Sequence, residues 1–227
     1  KGIVMRKLAL LVGLFMLLVG GATKATPQFD IGSGGGSRTS IPDNYTFGFE
    51  FNLSSTVLAD GLGFWDDFLP TVSGGSGGPG LNQTGGYEVG LWNTNGVLLA
   101  STTITNSSTV VPSAFSGGQW LFNFFATPTS LAPGNYRLGA LSTEHHVDNV
   151  LYQGSGPPTG AANAAFTFVG SREVFGSVLA DPTNSFILPW AAFGPNLSTA
   201  PIPEPTTALL LTLGLTGLGM RRRVRNN

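Results

Sequence analysis

Hydrophobic and polar positions alternate most cleanly between residues 45 and 53. Tyr45, Phe47, Phe49, Phe51 and Leu53 fall on one side, and Thr46, Gly48, Glu50 and Asn52 on the other. A period of two is the mark of a half-buried strand. A second run, 57–65, carries Leu58, Leu62 and Phe64. Runs at 87–92 and 97–104 flank Asn93-Thr94-Asn95-Gly96, and Asn-Gly between apolar runs predicts a hairpin. Residues 119–125 place Trp120, Phe122 and Phe124 on one face. Pro133-Gly134-Asn135 predicts a turn into a strand over 136–141. Weaker strand patterns cover 147–152, 165–169 and 186–188. No stretch between 26 and 200 holds a helical period, and no internal repeat is evident. Eight or nine short strands with glycine and proline turns predict an all-β fold, a single antiparallel β-sandwich or jelly roll.

Composition agrees with this reading. Of 227 residues 33 are glycine and 15 proline, the two poorest helix formers. Aromatics make up 11%, too many for a disordered chain. There is no cysteine, which excludes disulfides, thiolate metal sites and a cysteine nucleophile. Two histidines are too few for a multi-histidine metal cage.

The formal net charge of −1 conceals a segregation. Lys1, Arg6, Lys7 and Lys24 lie near one end, and Arg221, Arg222, Arg223 and Arg225 near the other. Between 26 and 203 only Arg38, Arg137 and Arg172 oppose eleven carboxylates, a net of −8. Such a domain repels phosphate backbones, so no nucleic-acid partner is expected. Cations and neutral polymers remain as partners.

The two ends read as addresses. Arg6 and Lys7 precede an apolar run from Leu8 to Val19, and small residues follow. This order predicts a signal peptide over 1–25, cut after Ala25 or, as the alternative, after Ala22. Met5 is a candidate true start. The run is shorter than the ~20 residues of a membrane span, and the plain alternative is a buried core helix. Near the other end, Pro203-Glu204-Pro205 precedes an uncharged apolar stretch to Met220 and then the arginine cluster. As a helix the stretch from Thr206 would span about 22 Å at 1.5 Å per residue, and snorkelling arginines can make up the shortfall. The basic cluster places its flank in the cytoplasm and the middle domain outside. The predicted organisation is therefore 1–25 signal peptide, 26–40 flexible Gly/Ser-rich lead-in, 41–197 sandwich, 198–202 linker and 203–227 sorting segment with one membrane helix.

This tail resembles the PEP-CTERM sorting signal, in which a Pro-Glu-Pro motif, an apolar segment and terminal arginines occur in that order. The resemblance implies a protein exported by the translocon of a Gram-negative bacterium. It also implies transient anchoring in the inner membrane, cutting near the motif by exosortase, and delivery to the cell surface or extracellular matrix. Pro203, Glu204 and Pro205 would be the recognition element, read by another protein. The alternative is a plain membrane anchor. The block from Ala59 to Thr103 resembles an uncharacterised domain that recurs in PEP-CTERM proteins. It does so through Leu62-Gly63-Phe64-Trp65-Asp66-Asp67, Glu88-Val89-Gly90-Leu91-Trp92 and Gly96-Val97-Leu98-Leu99-Ala100-Ser101. Pro133–Gly139 and Gly194-Pro195-Asn196 are similar to its closing strands. The short link after the paired aspartates in that domain is here the longer insertion 68–86. The resemblance implies a β-sandwich and brings no activity.

Several residues are candidates for chemistry. Asp66, Asp67 and Glu88 flank the glycine loop 73–80. If runs 57–65 and 87–92 paired, these carboxylates would converge, and a hard cation such as calcium would suit them. The plain alternative is turn capping, and the spacing is not that of an EF-hand. No other cofactor is expected. Glu144, His146 and Asp148 could share a strand face as a metal or acid–base cluster, or be solvated surface. Gly74–Gly78 formally matches G-x-S-x-G, and Gly75–Gly80 matches G-x-G-x-x-G. Neither is followed by a helix, so both read as accidents of low complexity. Trp65, Trp92 and Trp120, with Trp190 and the four tyrosines, could stack a sugar or fill a core. The five N-x-[ST] sequons, at Asn44, Asn52, Asn82, Asn106 and Asn196, read as chance. The expected function is a non-enzymatic surface or matrix protein associated with extracellular polysaccharide. The alternatives are a carbohydrate- or calcium-binding module and, less in keeping with the sequence, a carboxylate-dependent hydrolase.

Overall fold

A computed structural model describes residues 27–30, 35–39, 43–67, 81, 83–113, 118–143, 150–153, 164–185 and 192–200. The strands are β1 (Gly35–Thr39), β2 (Tyr45–Leu53), β3 (Val57–Asp66), β4 (Tyr87–Asn93), β5 (Leu98–Ile104), β6 (Thr109–Pro112) and β7 (Gln119–Leu131). There follow β8 (Gly134–Ser142), β9 (Val150–Gln153), β10 (Phe166–Phe175), β11 (Asn184–Ser185), β12 (Ala192–Phe193) and β13 (Pro195–Ala200). The fold is all-β, with no helix among the described residues. A six-stranded antiparallel sheet has the order β11-β10-β2-β8-β4-β5. A four-stranded sheet has the order β13-β3-β7-β6, and a small third sheet has the order β1-β9-β12.

The alternation in β2 does what a period of two requires. Tyr45, Phe47, Phe49, Phe51 and Leu53 all enter the core. From β4 come Tyr87, Val89 and Leu91, and from β3 come Leu62 and Phe64. The two large sheets meet where Phe64 stacks on Tyr87, ring centroids 3.8 Å apart and 12° from parallel. Strands β3 and β4 therefore face each other across the core and do not pair. Strand β3 pairs with β7 and β13, and β4 with β5 and β8. The pairing of runs 57–65 and 87–92 that would have brought Asp66, Asp67 and Glu88 together is therefore not formed. Burial drives this choice, because both strands carry an aromatic that only an opposing sheet can cover.

Gly194 sits between a ring of each large sheet. A Cβ there would lie 2.5 Å from the Phe47 ring and 2.6 Å from that of Phe64. Its carbonyl accepts the Trp65 N–H at 3.0 Å, so the chain reaches β13 pressed against the core.

Two expected boundaries move. Residues 26–40 are not all a free lead-in: Pro27, Gln28 and Phe29 are buried, and Phe29 packs on Phe49, Phe51 and Phe166. Residues 198–202 are not all linker, because β13 continues to Ala200 and Ser198 is buried. A flanking residue joins the sandwich when a strand edge is available to satisfy its backbone polar groups. The signal-peptide segment 1–25, the run 186–188 and the sorting segment 203–227 lie outside the described residues.

Candidate functional site

The outer face of the six-stranded sheet carries the densest charge. Register aligns Trp92, Arg137, Glu50 and Gly170 in one row across β4, β8, β2 and β10. Glu50 Oε2 lies 2.9 Å from Arg172 Nη2 and 3.6 Å from Arg137 Nε. Arg172 also donates from Nε to the same oxygen at 2.9 Å, and Asn135 Nδ2 donates to Oε1 at 2.9 Å. Arg137 bridges onward to Asp181 and donates to the Thr94 carbonyl at 3.3 Å. Two of the three arginines between 26 and 203 thus converge on one buried carboxylate. The chain over 180–182 closes this face. Ala180 N donates to Thr46 Oγ1, and the Pro182 ring lies near the open Cα of Gly139. Trp92 covers the neighbouring Gly90, where a Cβ would collide with its indole. The network balances two arginines against two carboxylates, as buried charge requires, and leaves Arg137 Nε and Asp181 Oδ1 without a hydrogen bond.

The residues expected to hold a cation are spread apart. Asp66 and Asp67 are 0% and 1% exposed, at the end of β3, whereas Glu88 is exposed on β4 in the other layer. Asp66 Oδ2 accepts from Gln119 Nε2 at 2.9 Å. Nearby in the chain fold, Asp30 Oδ1 accepts from Ser113 Oγ at 2.5 Å and from Trp120 Nε1 at 3.1 Å. Among the described residues no group of three or more His, Asp or Glu could hold a metal ion. Glu144, His146, Asp148 and the glycine loop with Ser76 lie outside those residues, as do Asn82 and Trp190.

The three tryptophans among the described residues are buried. Trp65, Trp92 and Trp120 are 1%, 4% and 0% exposed. Trp65 and Trp120 stand directly opposite in register and meet edge to face at 5.0 Å. A sugar needs an open aromatic face, and these three faces are taken by protein. The more open ring is one that the sequence grouped with the core. Phe124 is 41% exposed and stacks on buried Phe122 at 5.9 Å. Its position at the end of the apolar part of β7 was the available signal.

A shallow cleft of about 340 Å³ lies at the end of the sandwich that holds Asp66 and Glu88. Leu81, Gln83, Gly86, Thr105 and Asn106 line it. Gln83 is fixed by the fold: Nε2 donates to the Gly86 carbonyl at 2.7 Å, and Oε1 accepts from Thr143 N at 2.9 Å.

The two flanks of the domain meet beside the middle of β3, where Asn196 pairs with Gly63 and Ser198 with Gly61. Asn196 Nδ2 donates to the Phe29 carbonyl at 2.5 Å, and its Oδ1 accepts the Phe29 N–H at 3.3 Å. Gln28 N donates to the Leu197 carbonyl at 3.0 Å, and Pro27 bridges Ser198 in antiparallel sense. Strand β13 then runs to Ala200, paired with Leu58. Residues 201–223 match the family profile of the PEP-CTERM protein-sorting motif. The chain carries a PEP-CTERM sorting signal. It includes Pro203, Glu204 and Pro205 with Arg221, Arg222 and Arg223, and Arg225 follows just beyond. This motif implies processing by exosortase, export and sorting to the bacterial cell surface. Neither a curated protein nor a solved structure matches it. Among the described residues no helix is long and apolar enough to cross a membrane, and 206–220 lie outside them.

Proposed function

We propose that this PEP-CTERM protein is a non-enzymatic component of the extracellular polysaccharide matrix of a Gram-negative bacterium. The export translocon carries the chain out behind its signal peptide. Residues 206–220 hold it transiently in the inner membrane, and exosortase cuts near Pro203–Pro205. The observation that carries this reading is the placement of the motif. It begins at residue 201, directly after the last strand ends at Ala200. The charged groups described above serve the fold, and the surplus of carboxylates suits a matrix of neutral polymer better than a polyanion.

The test is the intact mass and cell fraction of the protein in its native host. Wild type is compared with a variant carrying alanine at Pro203, Glu204 and Pro205. The expected result is a wild type found outside the cell, shortened at both ends and retained by isolated matrix, with the variant full-tailed in the membrane. A wild type that keeps its tail in the membrane would make the segment a plain anchor and remove the matrix assignment.

A carbohydrate-binding version of this reading has one supporting observation, the half-open ring of Phe124. The exposed part of β7 beyond it, Ala126, Thr127, Pro128 and Ser130, carries no charge. An aromatic face beside hydroxyls suits the apolar face of a pyranose.

A further inference from the structure

The last strand, β13, ends at Ala200, which pairs with Leu58 at one end of the sandwich. Pro27 lies against Ser198 in antiparallel sense, on the strand beside it. Adjacent strands are about 5 Å apart. The sorting motif at 201–223 follows directly on the strand that ends there.

That end differs from the other in charge. Register places Leu53, Val57, Leu131, Gly134 and Phe166 there with Ala200. Its turns are Ser54-Ser55-Thr56, Ala132-Pro133 and Ala164-Ala165, and beside them the Thr94–Val97 hairpin loop next to Asn93, which pairs with Tyr136. None of these turns carries a charge. In this half of the sandwich Asp60 sits in the bulge of β3, and Asp181, beside Gly96, is paired to Arg137. The far end collects Asp30, Asp43, Asp66, Asp67 and Glu88.

We infer that the uncharged end, with the turns at Ser55 and Pro133, is the face the precursor sets against the phospholipid headgroups. This inference rests on the anchored-precursor reading above. The sorting segment that follows Ala200 directly fixes which end is down. The chain from Ala200 to Thr206, where the apolar stretch begins, spans about 20 Å at most, so the domain cannot stand far off. A lipid surface bearing phosphates repels carboxylates within a Debye length of about 10 Å. The sandwich meets that surface with its neutral pole and holds its acidic pole roughly 30 Å away, the length of a nine-residue strand.

The absence of native cysteine makes the test clean. The full chain with S55C or T84C is labelled with a fluorescent donor. Both positions are exposed in turns, at the neutral and the acidic end respectively. Each protein is reconstituted into phosphatidylethanolamine–phosphatidylglycerol vesicles with an acceptor dye on the headgroups, and tryptophan emission confirms the fold. The expected result is several-fold stronger energy transfer from position 55 than from position 84. Equal transfer, or stronger transfer from position 84, overturns the orientation and leaves the anchor standing. Failure of the full chain to enter the vesicles overturns the orientation together with the anchored-precursor reading.

Discussion

The side chain of Asn196 takes both backbone hydrogen bonds of Phe29, a residue 167 positions earlier in the chain. Asn196 is fully buried and also accepts the Leu197 N–H at 2.8 Å. It acts as an extra strand residue, and it ties the start of the domain to its end. Asn196→Ala leaves a buried N–H and a buried C=O without these partners. The expected loss is about 2–4 kcal/mol of unfolding free energy, since each buried unpaired group costs roughly 1–3 kcal/mol. Urea unfolding of the mature domain measures it. A loss below 0.5 kcal/mol, at the level of an ordinary surface change, would sink the clamp.

Glu50 holds Arg137 and Arg172 together on the sheet face. Glu50→Gln removes the charge and keeps the shape. The arginines retain Asp181 and Ser185, so the effect is smaller than for a fully buried pair. About 1–3 kcal/mol of destabilisation is expected, because the groups are partly screened. The same change made with Arg172→Met in a double-mutant cycle should be non-additive. Additive effects would show that the three side chains do not act as a unit.

Gly194 has no room for a methyl group between Phe47 and Phe64. Gly194→Ala should cost about 1–3 kcal/mol through overpacking and lower Tm accordingly. Gly170→Ala, whose Cβ would meet nothing, provides the control. Equal Tm values for the two variants would contradict the packing.

Tyr136 titrates with the fold. Burial raises its pKa above 10.0, and its hydroxyl donates to the Ala132 carbonyl at 2.9 Å. The folded state therefore keeps the proton that the unfolded chain releases. Its contribution to stability is full below pH 10 and is lost as pH climbs through the folded value. Unfolding free energy between pH 9 and 12 should fall less steeply in Tyr136→Phe than in wild type. Parallel curves would refute the assignment.

Phe124→Ala separates the two versions of the matrix reading. The ring is half-exposed, so the fold should survive with a loss of about 1 kcal/mol or less. A module that stacks sugar on this ring should lose saturable binding to the host polysaccharide, measured by titration. Unchanged binding would place any glycan contact elsewhere.

The sequence by itself determined the all-β class, the inward face of β2, the hairpin at Asn93–Gly96 and the sorting signal at the tail. Each is local: a period of two, a turn dipeptide, or a motif read as extended peptide. Tertiary structure alone decided that β3 and β4 face each other, because layer assignment depends on which partner can cover Phe64 and Tyr87. It also decided that Trp65, Trp92 and Trp120 are filled in by neighbours, and that Glu88 points away from Asp66 and Asp67. Residue type is blind to both, since a tryptophan or a carboxylate is equally at home on either side of a strand until its neighbours are known. Asn196 is the sharpest case. In sequence it is one of five sequon asparagines, and only the arrival of Phe29 beside β13 makes it the residue that joins the two ends.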